Sequence, residues 1–141
     1  MLVENRDDAR RYFFKVWRKH HNKQPLEPLE GLILDVILAH PEYHELLTQG
    51  ETALAEEFSP EQGRTNPFLH MSMHIAIKEQ IQSDRPAGIR DICKMLLEKF
   101  QGWHEMEHAV MECLGESLWL AQRNNSMPDE NAYLESLRSL K

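Results

Sequence analysis

Asn66-Pro67-Phe68-Leu69-His70-Met71-Ser72-Met73-His74-Ile75-Ala76-Ile77-Lys78-Glu79-Gln80-Ile81 is the stretch that decides how this chain folds. Asn66 and Pro67 read as an N-cap and a first helical turn, because asparagine accepts from orphan amides and proline has no N–H to lose there. Projected at about 100° per residue, His70 and His74 share one stripe with Met73, Ile77 and Ile81. Phe68, Met71 and Ile75 occupy the opposite side. A helix apolar nearly all round belongs in the middle of a fold. Its two imidazoles then need hydrogen-bond partners or a metal, since an unsatisfied buried polar group costs ~1–3 kcal/mol.

Outward from this helix the chain keeps a helical period. Downstream, residues 83–88 form a turn, and Ile89, Ile92, Leu96 and Phe100 mark a fourth helix that Gly102 breaks. The longest helix follows, Trp103 to Arg123, with Trp103, Met106, Val110, Leu114, Leu118 and Ala121 on its apolar face. Asn124 to Pro128 ends it, and Tyr133, Leu134, Leu137 and Leu140 mark a last helix. Upstream, a first helix starts near Asn5 to Asp8 and carries Ala9, Phe13, Val16 and Trp17 as its stripe. Its basic residues Arg10, Arg11, Lys15, Arg18, Lys19 and Lys23 read as a solvated face, or else as a docking surface for an acidic partner. Pro25 and Pro28 precede a second helix, Leu29 to Ala39. Pro41 opens a short helix to Leu47 and leaves His40 at the joint. Residues 50–66 read as irregular. With no sustained strand alternation, the expectation is all-α: one domain over residues 1–141, a bundle of five to seven helices.

Composition narrows function by exclusion. The chain has 141 residues, a charged share of 28 % and a formal charge of -7. An acidic chain is not a general nucleic-acid binder, because phosphate contact needs a basic face. No apolar run reaches membrane-spanning length, and the first residues lack the cationic start of a secretory signal, so the expected location is the cytoplasm. Cys93 and Cys113 are isolated and fall in apolar helical patterns, as buried free thiols do in a reducing compartment.

Chemistry is concentrated in histidine. Six of the eight histidines form three i, i+4 pairs: His40/His44, His70/His74 and His104/His108. Helical residues four apart lie one above the other, so each pair can aim two imidazoles at one point. Pro41 weakens this argument for His40/His44. His104 and His108 edge the apolar face of the long helix, where Glu107 projects toward the core beside Trp103 and Leu114. Glu107 is the carboxylate best placed to act as a ligand or to fix an imidazole tautomer; its bland reading is an ion pair with an arginine. Residues 104–108 also fit H-E-x-x-H, in which two histidines hold zinc and Glu105 would be the general base. That pattern is short, and the third-ligand signatures of such hydrolases are absent. The two E-x-x-H pairs of carboxylate-bridged di-iron bundles are not present either, since only Glu105/His108 fits. In ligand type the chain is more similar to hemerythrin-like bundles, without their full spacing.

Three stretches carry a family resemblance: His40-Pro41-Glu42-Tyr43-His44, the run from Asn66 to Arg90, and the run from His104 to Arg123. They resemble a small proteobacterial family known as domain of unknown function 1841. The resemblance implies a bacterial cytoplasmic protein of about this length and carries over no substrate, cofactor or catalytic residue. The residues themselves point to a transition metal (zinc, iron or nickel) held by paired histidines on facing helices, foremost His70/His74 with His104/His108. The rival reading is a metal-free interaction or assembly module with hydrogen-bonded core histidines, in which Trp119, Leu120 and the methionines offer surface for a homodimer or another protein. A zinc hydrolase using Glu105 is the third reading, and pH sensing by clustered histidines the last.

Overall fold

The computed structural model describes residues 6–54 and 66–140. Seven α-helices lie within them: α1 Arg6–His21, α2 Pro28–Leu38, α3 His44–Gln49, α4 Pro67–Ser83, α5 Ile89–Leu97, α6 Trp103–Arg123 and α7 Glu130–Arg138. Single 3-10 turns at Pro41–Tyr43 and Gly50–Ala53 flank α3. The described residues contain no strand, and the fold is all-α. Part of the expected irregular connection, residues 55–65, lies outside the described residues, as does Asn5.

The helix ends follow from local chemistry. Asn66 Oδ1 accepts from the amides of Phe68 and Leu69 at 3.0 and 3.2 Å and so starts α4. Arg90 closes α4 by donating to the carbonyls of Ile81 and Gln82. Gly88, at φ +99°, turns the chain into α5. Asp129 accepts from the Ala132 amide and caps α7.

The chain groups into two compact units, Met1–Ile75 and Ala76–Lys141. In the first, Phe13, Val16, Ile33, Ile37, Met71 and Ile75 form the centre of an apolar cluster, with Phe13 and Phe14 meeting Phe68 edge-on or tilted. In the second, Ile89, Cys93, Leu96, Met106, Val110, Leu134 and Leu137 are buried. Both cysteines are free and buried.

Several sequence expectations need correction. Leu69 is 61 % exposed, so α4 is not enclosed on every side. Trp103 and Leu118, expected on the apolar face of α6, are exposed. Trp103 is the first residue of the helix, at its end rather than along its packed length. The buried stripe of α6 runs through Met106, Val110, Cys113, Leu114 and Ala121, a course that passes over Ser117 rather than Leu118.

The basic face of α1 is not uniformly solvated. Arg10 is buried, donates to the Leu54 carbonyl at 2.8 Å, and lies 4.7 Å from the Phe68 ring centre. Lys19 reaches the buried Glu30 carboxylate at 2.9 Å, with Lys15 at 3.7 Å. Glu30 also accepts from the Glu27 amide, closing a capping box on α2. That backbone bond, followed by the Lys19 hydrogen bond, holds the Glu30 carboxyl below the usual carboxylate range.

Candidate metal centre

Pro41 determines where His40 goes. A residue before proline is pushed out of helical geometry, and His40 adopts φ -127°, ψ 67°, so α2 stops at Leu38. The chain turns, and the His40 imidazole folds back against α2, its Nδ1 2.7 Å from the Val36 carbonyl. A carbonyl can only accept. Nδ1 therefore carries the proton of the neutral ring, and Nε2 holds the lone pair that a metal would take.

That lone pair is in histidine company. The ring centres of His40, His70 and His74 form a nearly equilateral triangle, with sides of 5.0, 4.8 and 4.9 Å. His40 and His74 are buried at 1 % exposure each, and His70 is half-buried. Ligating nitrogens of His40 and His74 lie within 4.8 Å of each other. Tyr43 stacks on His40 with an interplanar angle of 7° and meets the edge of His70. Burial raises the Tyr43 hydroxyl above its ordinary range, with the Glu42 charge adding to the effect. Three imidazoles from two separate segments are thus neighbours in the first unit, two of them buried.

His44 goes elsewhere. Its Nε2 donates to the Ile37 carbonyl at 2.7 Å, and its ring packs 4.4 Å from Trp17. The last turn of α2 has no basic residue, and His40 and His44 supply donors to its carbonyls instead. The i, i+4 spacing of this pair therefore does not bring the two rings together, whereas His40 joins the α4 pair.

In the second unit His104 and His108 stack along α6 with ring centres 4.2 Å apart and ligating nitrogens within 4.8 Å. His104 is exposed and His108 half-buried. Glu107 is buried, and its carboxylate accepts from Lys78 of α4 at 2.9 Å. The ion pair weighed from sequence is there, with a lysine in place of an arginine. Glu105 is exposed in the first turn of α6.

Sequence reasoning passed over a second group in the first unit. Trp17 is ringed by His20, His21 and His44, with centre distances of 5.7, 4.3 and 4.4 Å. Its one sequence signal is the i, i+4 spacing of Trp17 and His21, a pair with a single histidine in it.

The model of the family described as domain of unknown function (DUF1841) matches residues 5–139. The chain belongs to this family. No curated protein and no solved structure matches it. Among the described residues of this DUF1841 protein, no helix is long and apolar enough to cross a membrane.

Proposed function

We propose that this DUF1841 protein binds a transition metal through histidines, in a cytoplasmic setting. The observation that carries the reading is the triangle of His40, His70 and His74. Neutral imidazole nitrogens suit zinc, iron or nickel, with bonds of about 2.0–2.1 Å for zinc. The His40 bond to the Val36 carbonyl supports it, because such a bond fixes tautomer and ring orientation in metal-ligating histidines. Burial supports it too: His40 and His74 lie away from water, where imidazoles gain more from a shared cation than exposed rings would. His104 and His108 are a separate candidate pair of donors within the second unit.

The test is elemental analysis of protein purified without an affinity tag, with melting temperature read with and without zinc, iron(II) or nickel. Stoichiometric metal is expected, reduced to a trace by His40→Ala and by His74→Ala. At a hundredfold excess over the dissociation constant, binding adds about 2.7 kcal/mol of stability. Metal-free protein whose melting temperature ignores all three ions would end the proposal. A His104→Ala/His108→Ala variant that keeps its metal would confine the site to the first unit.

A second reading, a metal-free assembly module, draws on a specific observation as well. The His40 and His44 rings both donate to backbone carbonyls, as structural histidines do. Leu118, Trp119 and Leu120 are exposed on α6 and offer apolar surface to a second copy or another protein. Sedimentation of the metal-free protein separates the two: a stable dimer without metal favours assembly.

A further inference from the structure

Trp17 is 8 % exposed and forms, with Phe14 and Leu47, the apolar wall of a cavity of about 260 Å³ in the first unit. The indole is locked in place. Its Nε1 donates to Thr48 Oγ1 at 3.1 Å, and the Thr48 hydroxyl donates in turn to the His44 carbonyl at 2.9 Å. His21 Nδ1 donates to the Trp17 carbonyl at 3.0 Å, which sets the imidazole edge-on to the indole as a second wall. The indole N–H, the Thr48 hydroxyl and His21 Nδ1 are thus already committed, and the surface they fix is aromatic.

The remaining wall is cationic. Arg18 lines the cavity, and among the described residues its guanidinium makes no ion pair and no side-chain hydrogen bond. Among the described residues, no acidic one lines the cavity. By contrast, the neighbouring cations of α1 are engaged: Arg10 on the Leu54 carbonyl, Arg11 on Glu51 at 3.2 Å, Lys15 and Lys19 on Glu30. An uncommitted guanidinium beside a fixed aromatic wall is a two-point recognition surface. It suits a planar apolar body joined to a carboxylate, which a guanidinium grips with two parallel N–H donors.

We propose that the Trp17–Arg18 cavity binds a small aromatic carboxylate, its ring seated against the wall of Phe14, Trp17 and Leu47 and its charge held by Arg18. The volume limits the ligand to about one ring, since drug-sized ligands occupy roughly 300–1,000 Å³. The site shares no side chain with the His40/His70/His74 triangle, so the two proposals stand or fall apart.

The experiment uses full-length protein carrying Trp103→Phe and Trp119→Phe, both exposed positions, so that Trp17 alone reports. Titration with benzoate should change Trp17 fluorescence saturably, with a dissociation constant on the order of 1 mM for so small a ligand. Arg18→Gln should weaken binding by about tenfold or more, the loss of one charged contact. Arg18 is exposed, so this variant keeps its fold, checked by an unchanged melting temperature. Benzamide, equal in shape and without charge, should bind about as weakly to the parent as benzoate does to the variant. A linear, unsaturable response, equal binding by Arg18→Gln, or equal binding of benzamide and benzoate would each overturn the proposal.

Discussion

The two units treat buried charge and polarity differently. In the first, Arg10, Glu30, His40 and His74 are buried; in the second, among the described residues, Glu107 is the one charged side chain so placed. Three of these groups of the first unit are tied to chain distant in sequence or to a helix end. Arg10 holds Leu54, Glu30 holds Lys19 and the start of α2, and His40 holds the end of α2. The second unit relies on apolar packing of α5, α6 and α7, with the buried thiols among the packed groups. Buried polar groups are expensive unless satisfied, so the first unit gains specificity and, with it, sensitivity to protons and ligands. The second unit should respond mainly to loss of volume.

Removing the buried carboxylates gives the largest contrast. Glu30→Ala deletes two lysine contacts and a capping bond at once, and should cost about 2–3 kcal/mol. Glu107→Ala deletes the Lys78 contact, and Lys78, at 27 % exposure, can turn to water. About 1–2 kcal/mol is expected there. Urea midpoints of both variants at constant m-value give the comparison, and equal losses would break it.

Titration should separate Glu30 of the first unit from Cys93 of the second by the side of neutrality on which each contribution is lost. The folded Glu30 carboxyl titrates below its unfolded value, so its contribution is complete above about pH 4.5 and is lost as pH falls through the lower folded value. Glu30→Gln should flatten the acid limb of the stability curve. In the second unit burial, with the Glu107 charge second, pushes the Cys93 thiol up to about 11, and burial also raises the Tyr133 hydroxyl. A raised folded value means stability present below about pH 9 and lost as pH climbs toward 11. Cys93→Ala should therefore flatten the alkaline limb and leave the acid limb as it was. Chemical denaturation from pH 3 to 11 reads both limbs, and an acid limb unchanged by Glu30→Gln would sink the assignment.

Helix caps extend the contrast at lower energy. Asn66 satisfies two amides of α4, whereas Asp129 satisfies one of α7. Asn66→Ala should cost about 1–2 kcal/mol and Asp129→Ala about 0.5–1 kcal/mol, by thermal melting.

These differences mark where the sequence could be read and where it could not. Caps, breakers and periodicity act within a few residues, so Asn66, Gly102 and Pro128 bound their helices almost where the pattern puts them. The i, i+4 pairing of His70 with His74 is local in the same way. His40 was harder: once Pro41 ends α2, its position depends on how the α2–α3 corner meets α4, and no spacing encodes that. Glu30 and Arg10 were invisible for a related reason. A charged residue on a helix reads as surface until the element across from it is known, and Leu54 and Lys19 lie 44 and 11 residues away.

Glu105 supplies the smallest expected effect and a sharp one. It is exposed, and it sits in the first turn of α6, where a carboxylate complements the positive end of the helix dipole. Glu105→Gln should cost only about 0.3–1 kcal/mol and leave metal content untouched. In an H-E-x-x-H hydrolase the same change would leave the fold intact and abolish turnover, because the glutamate activates metal-bound water. Calorimetry, metal analysis and a generic peptide-hydrolysis assay on the one variant therefore separate a dipole role from a catalytic one. A small loss of stability, with unchanged metal and no activity to lose in the parent, reduces residues 104–108 to a histidine pair on a well-started helix.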